Sequence, residues 1–150
     1  MELEKSIKQS KPYENVYERA MVNILHSYGW LAHKQKSFFN KYDLTVKQYN
    51  ILRILRGAKE PLSTSEIRDR MVDKMSDTTR LIERMLKKNW VVKEVNEVDR
   101  RLVDVILSEK GRALVNDLDN SISEMNEFLS ALSEEEARQL NQLLDKMRGD

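Results

Sequence analysis

The chain has 150 residues, 40% hydrophobic and 34% charged, with a formal net charge of +1. That length supports one core and is too short for two, and the composition is too apolar for a disordered chain. The absence of cysteine rules out disulfides, thiolate metal sites and a cysteine nucleophile, and fits a reducing cytoplasm.

No window approaches the roughly 20 apolar residues of a membrane span, and residues 1–20 lack the apolar stretch of a signal peptide. A cytoplasmic protein with no membrane partner is therefore expected. The charge is uneven: residues 108–150 carry five basic against ten acidic side chains, leaving 21 against 15 in residues 1–107. A polyanion would be repelled by the C-terminal third and attracted by the rest; a solvated acidic helix pair without meaning for partners is the other reading. With 4 Gly and 2 Pro, long helices joined by few loops are expected.

Between Tyr13 and Phe39, Val16, Tyr17, Ala20, Met21, Ile24, Leu25, Tyr28, Leu31 and Ala32 recur at helical spacing. This predicts a long helix with Pro12 in its first turn and Gly29 marking a bend or a close packing contact. Thr45 is placed to cap a second helix with Tyr49, Leu52 and Leu55 on one face; Gly57 ends it and Pro61 forbids continuation. Ser63 and Glu66 form a capping box for a third helix. Ser76 is read as the N-cap of a fourth, which buries Leu81, Ile82, Met85 and Leu86. Asn89 suits a left-handed stop, and Trp90 suits the apolar contact back to Met85 that accompanies it.

The period then changes from 3.6 to 2. Residues 90–95 and 102–107 read as two strands around the polar tip Asn96-Glu97-Val98-Asp99-Arg100-Arg101. Ser108 caps another long helix with Leu114, Leu118, Ile122, Met125 and Leu129 as its stripe. Ser133 and Glu136 box the last helix, with Ala137, Leu140, Leu143, Leu144 and Met147 on its face.

Two short capped helices followed at once by a hairpin outline a winged helix-turn-helix. The fold class expected is mainly α with a small β-hairpin wing, flanked by long N- and C-terminal helices. On the fourth helix, taken as 76–89 and roughly 20 Å long, the residues expected to face outward include Thr78, Thr79, Arg80 and Arg84. Threonine and arginine are suited to phosphates, guanine edges and thymine methyls. An ordinary solvated surface helix is the alternative. At the hairpin tip, Asp99 and Arg101 are spaced so that the carboxylate fixes the guanidinium in direction. A held arginine suits a narrow minor groove, and Arg100 adds a second cation. The alternative is a surface salt bridge worth about 0–1 kcal/mol.

Asp99-Arg100-Arg101, the strand Leu102 to Ile106, and Leu107-Ser108-Glu109-Lys110-Gly111 resemble the wing signature of the MarR family of prokaryotic regulators. The run from Arg80 to Val91 resembles that family's recognition helix passing into the first wing strand. Asn89 stands where the family usually has glycine, and Trp90 where it has a smaller apolar residue.

The resemblance implies a single domain over 1–150, with the winged part at about 44–107 and dimerisation helices at about 12–40 and 108–148. It implies a homodimer reading a pseudo-palindrome in double-stranded DNA, with half-sites roughly 34–36 Å apart. Such a protein would be a nucleoid-associated regulator, more often a repressor. Carried over residue by residue, Ser76, Thr78, Thr79, Arg80 and Arg84 meet the major groove, and Asp99 and Arg101 serve the minor groove. Ser63, Thr64 and Ser65 bind backbone phosphate from a helix N-terminus. Tyr13, Tyr17, Leu129, Leu132, Leu140, Leu144 and Met147 are the interface candidates, since the terminal helices carry more apolar residues than a monomer easily covers.

The resemblance also implies a small aromatic or phenolic effector. Tyr28, Trp30, His33, Phe38, Phe39 and Tyr49 are the candidate lining, or else plain core and dimer contacts. A winged-helix protein-interaction module without DNA binding is the alternative function; it would not need cations at both the fourth helix and the wing.

No enzyme, cofactor or metal is expected. His26 and His33 lie seven residues apart on one helix, about 10.5 Å along its axis, too far for one chelate. No nucleophile elbow or Gly-rich phosphate loop is present, and Glu134-Glu135-Glu136 reads as an acidic first turn that suits the helix dipole.

Overall fold

A computed structural model describes residues 3–149; residues 1, 2 and 150, which the single-domain reading includes, lie outside the described residues. In chain order the elements are α1 (Leu3–Ser6), α2 (Val16–Asn40), α3 (Val46–Gly57), β1 (Leu62–Ser63), α4 (Thr64–Arg70), α5 (Thr78–Lys87), β2 (Val91–Val95), β3 (Val103–Leu107), α6 (Glu109–Asp119), α7 (Ile122–Asn126), a 3₁₀ turn (Glu127–Leu129) and α8 (Glu134–Arg148). The class is as expected: mainly helical with a small antiparallel sheet.

Most helix starts follow from their caps. Thr45, Ser63 and Ser133 each form a complete capping box, with Gln48, Glu66 and Glu136 respectively. Ser108 accepts from the Gly111 N–H. α2 begins later than the apolar periodicity suggests, because the Asn15 side chain accepts from the Tyr17 and Glu18 N–H groups; Pro12 therefore lies outside the helix. A Cβ at Gly29 would meet nothing within 4 Å among the described residues, so that glycine serves no close contact with them.

α5 ends on Asn89, whose φ of 57° is left-handed. The Asn89 N–H donates to Leu86 O and the Trp90 N–H to Met85 O, both at 3.0 Å, the paired bonds of a Schellman stop. Trp90 and Met85 are both buried in one cluster, supplying the apolar contact that accompanies it.

The sheet has the order β1-β3-β2, all antiparallel. β2 and β3 pair Val91 with Leu107 at the core end and Val95 with Val103 at the outer end. β1, which the periodicity does not reveal, pairs Leu62 with Val105 and Ser63 with Asp104. Two residues are too few to show a period.

The core is formed where α3, α4, α5 and α6 close on the sheet. Ile51, Leu52, Ile67, Ile82, Met85, Val105 and Val115 are essentially fully buried in it, and Phe38 and Phe39 join from the end of α2. The start of α6 is fastened to the end of α5 and to Trp90. Ser108 Oγ donates to Asn89 O at 2.6 Å, the Ser108 N–H donates to Trp90 O at 3.1 Å, and Lys110 Nζ donates to Lys88 O at 3.0 Å. Gly111 lies against the same strand start, and a Cβ there would stand 1.9 Å from Trp90 O.

The single long helix expected from Ser108 through Leu129 is instead broken. α6 stops at Asp119, Ser121 N–H donates to Leu118 O at 3.0 Å, and Tyr42 Oη donates to Ser121 Oγ at 2.9 Å. That bend carries α7 across the end of α2, where Ile122, Met125 and Phe128 pack on the core.

The terminal helices are different in kind. α2 runs for 25 residues, yet only Phe38 and Phe39 are buried, and α8 buries none of its residues. Short α1 lies on α2 through the Glu4–Arg19 ion pair at 2.6 Å and the Ser6 Oγ–His26 Nε2 contact at 2.9 Å.

Candidate nucleic-acid interface

α5 is positioned by its apolar face. Ile82 and Met85 are buried, with Leu81 and Leu86 half-buried beside them, so Thr79, Arg80, Glu83, Arg84 and Lys87 are exposed on the other side. Two expected contacts need correction. Asp77, not Ser76, is the N-cap and accepts from the Arg80 N–H at 3.1 Å. Ser76 is then displaced inward and is only 7% exposed. Thr78, 3% exposed, shares the buried face of Ile82 and Met85, because four and seven residues on returns to the same side of a helix. The helix is correspondingly shorter, at ten residues or about 15 Å. Lys88 is engaged within the fold: its Nζ donates to Asp43 O and Oδ2, both at 2.7 Å, and lies 4.4 Å from the centre of the Trp90 ring.

Before α5, the turn Val72–Asp73 is tied to α3. The Val72 N–H donates to Asn50 Oδ1 at 2.9 Å, and Lys47 Nζ lies 2.8 Å from Asp73 Oδ2. The Lys47 ammonium, with help from the Met75 N–H, holds the Asp73 carboxyl below its usual range. Neither Lys47 nor Asn50 carries a sequence signal for this, since both lie on the polar side of an amphipathic helix.

On α4, the Ser63 hydroxyl is occupied by its capping box, donating to Glu66 Oε2 at 2.7 Å. The same contact holds the Glu66 carboxyl below its ordinary value. Ser65 is exposed and accepts from Arg68 at 3.1 Å, and Thr64 is half-buried.

At the wing tip, Asp99 Oδ1 accepts from the Arg101 N–H at 3.0 Å and from Arg101 Nε at 3.2 Å, the pairing expected from their spacing. The Arg101 side chain is 91% exposed, so the guanidinium is directed and open at once. Arg100 is also exposed.

A cavity of about 410 Å³ lies between α2, α3 and the turn before α5. Of the six expected lining residues, Tyr28, Phe39 and Tyr49 line it. Trp30 and His33 do not, because Tyr28, Ala32, Gln35 and Phe39 form one helical face and residues 30 and 33 point away from it, exposed. Phe38 is core, packed edge-on to Phe39 at 5.0 Å and against Tyr42 at 5.6 Å. The rim adds Lys47, Asn50, Arg53 and Asp73. Tyr49 Oη is buried without a hydrogen-bond partner among the described residues, and burial pushes its phenol up despite nearby Arg53 and Arg56.

Comparison with known proteins agrees with this architecture. The family model described as "Transcriptional regulator SarA/Rot" matches residues 34–118. The chain is 32% identical over 112 residues to the HTH-type transcriptional regulator PecS of Dickeya dadantii, covering 73% of this chain and 68% of that one. A MarR-like transcription regulator from Bacillus cereus superposes with a TM-score of 0.78 at 26% identity, covering 90% of this chain and 98% of that chain. MepR of S. aureus, solved in complex with DNA, superposes with a TM-score of 0.74 at 25% identity, covering 91% and 98%. The capped two-helix unit, the exposed arginines of α5 and the Asp99–Arg101 wing thus sit in a chain that belongs to the MarR-type family of DNA-binding, winged-helix transcriptional regulators, which are not enzymes.

Proposed function

We propose that this protein is a homodimeric, sequence-specific regulator, acting as a repressor on a pseudo-palindromic operator. α5 lies in the major groove and the 96–101 wing in the minor groove of each half-site. The observation that carries this reading is Arg101, held by Asp99 on its backbone and side-chain nitrogens yet 91% exposed at the tip. An exposed ion pair contributes little to stability, about 0–1 kcal/mol. Its consequence is direction, which is what a minor-groove arginine requires.

On α5, Thr79, Arg80 and Arg84 are the exposed candidates for base and phosphate contacts. Arg100 and Ser65 are candidates for phosphate. Ser76 and Thr78 act from inside, by seating the helix.

Dimerisation is supported by what α2 and α8 leave uncovered. Tyr17, Met21 and Leu25 on α2, Leu129 on the 3₁₀ turn, and Leu140, Leu143 and Met147 on α8 are all at least 40% exposed in the single chain. Leu132 and Leu144 are half-buried beside them. Tyr13 is also half-buried, and its hydroxyl has no hydrogen-bond partner among the described residues. Apolar side chains left open along these helices are what a second copy of the chain would cover. The division is a winged part at about 44–107 between dimerisation segments at about 12–40 and 108–148.

The cavity beside Tyr28, Phe39 and Tyr49 has the size and largely apolar lining of a small-molecule site. It touches the turn that leads into α5, so an aromatic or phenolic effector held there would bias the helix. The test is selection of duplexes from a random library, with binding to the winners repeated over a range of salt concentrations. A pseudo-palindrome with a steep salt slope is expected. Arg101→Ala should weaken binding to all duplexes and reduce the slope by about one. Absence of enrichment and of low-salt binding would refute the reading in favour of a protein-interaction module.

A further inference from the structure

The wing's Asp99–Arg101 pair does not stand alone. Asp99 is itself placed by Asn96, whose Oδ1 accepts from the Val98 N–H at 2.9 Å and the Asp99 N–H at 2.8 Å. The Asn96 Nδ2 donates to Asp104 Oδ2 at 2.7 Å. Asp104 is only 6% exposed and sits on the middle strand β3, paired with Ser63 on one side and Glu94 on the other. The loop is closed by the Asn96 N–H donating to Leu102 O at 3.1 Å and the Leu102 N–H donating to Asp99 O at 2.9 Å.

The amide of Asn96 has one sensible orientation. Turned over, its oxygen would face the Asp104 carboxylate and its NH₂ would face two backbone N–H groups. Each end of this side chain therefore has a distinct task. One end grips a carboxylate fixed in the sheet, and the other fixes the backbone from which Asp99 reaches Arg101. A serine could fill part of the second task but not the first, and an aspartate could fill the second but would repel Asp104.

We propose that Asn96 is a positioning residue for DNA recognition: it transmits the rigidity of β3, through Asp104, to Asp99 and so to the exposed Arg101 guanidinium. This rests on the reading that Arg101 meets DNA. Asn96 touches no nucleic acid itself; it restricts where Arg101 points before binding, which lowers the ordering cost at the moment of contact.

The experiment is a double-mutant cycle on the dimer, with the duplex selected above as probe. Asn96→Ala should lower affinity roughly two- to tenfold, the range of one net hydrogen bond, and should add nothing in an Arg101→Ala background. The exchange Asn96→Asp with Asp104→Asn rebuilds the same hydrogen bond with donor and acceptor reversed. It should return affinity to within about twofold of the parent, whereas Asn96→Asp alone should not. Equal losses from Asn96→Ala with and without Arg101 would overturn the proposal, as would no loss from Asn96→Ala where Arg101→Ala does weaken binding.

Should Arg101→Ala leave affinity untouched, the minor-groove reading fails. The positioning is then judged on the free protein, by the Arg101 Nε–H resonance. Its collapse to the random-coil position in Asn96→Ala supports the link from Asn96 to Arg101 while its use on DNA falls with the minor-groove reading, and an unmoved resonance overturns the link as well.

Discussion

Replacing Gly111 by alanine tests how the winged part is joined to α6. In an ordinary helix the change would gain about 1 kcal/mol. Here the added Cβ would stand 1.9 Å from Trp90 O, 2.8 Å from its carbonyl carbon and 3.2 Å from its Cα. All three are backbone atoms, so no rotamer relieves the overlap. Restoring an ordinary separation of roughly 3.5 Å moves the start of α6 by about 1.5 Å. That motion stretches the Ser108 N–Trp90 O bond of 3.1 Å and the Ser108 Oγ–Asn89 O bond of 2.6 Å.

Overpacking costs about 1–3 kcal/mol and each strained hydrogen bond about 1 kcal/mol. After subtracting the helix gain, a net loss of about 2–4 kcal/mol is expected. At 2–4 °C per kcal/mol for a chain of this size, Tm should fall by roughly 5–15 °C. The assay is thermal unfolding at fixed protein concentration, since any association would make Tm depend on it. Gly57→Ala is the control: among the described residues nothing lies within 4 Å of its added Cβ, and it should be neutral or raise stability by up to about 1 kcal/mol. A Gly111→Ala protein as stable as the parent, or more so, would refute the reasoning and show that helix propensity governs the position.

Asn89→Ala places an alanine at a φ of 57° and should cost about 1–2 kcal/mol, while Asn89→Gly should hold or slightly raise stability; denaturant midpoints decide between them. Lys47→Met removes the largest influence holding Asp73 below its ordinary pKa. Because that folded-state pKa is depressed, the pair stabilises the fold above the unfolded value of about 4, and the benefit is lost as pH falls through the folded value. The Tm difference between parent and Lys47→Met should therefore be present at pH 7 and close in acid. A difference that persists unchanged at low pH would exclude the ion pair as its source. Tyr49→Phe removes a buried hydroxyl without a partner among the described residues and should leave stability unchanged or slightly raised. A loss above about 1 kcal/mol would mean that the hydroxyl is bonded in the free protein.

The local devices of this fold are legible in the residues because each depends on neighbours in sequence. Thr45, Ser63, Ser108 and Ser133 cap helices within three residues of themselves. Asn89 stops one by its own φ, and Asp99 reaches Arg101 two residues on. What fails is what distance in sequence conceals. The break after Asp119 depends on Tyr42, far upstream, donating to Ser121, and the apolar stripe continues across it regardless.

Ser76 and Thr78 look like surface hydroxyls until Asp77 takes the cap and turns them inward. Only packing on α3 and the sheet decides that phase. Trp30, His33 and Phe38 share a helix with the true cavity lining, but at 3.6 residues per turn Phe38 is rotated from it by roughly 90° and His33 and Trp30 by roughly 130–170°. Residue types and spacings thus determined the main helices, the caps at Thr45, Ser63, Ser108 and Ser133, the Asn89 stop, the hairpin and its arginine-bearing tip. Tertiary structure alone decided which faces are buried, that Gly111 must lack a side chain, and that Asn96 links the wing to Asp104. Those outcomes are set by contacts between atoms that the chain brings together only after it has folded.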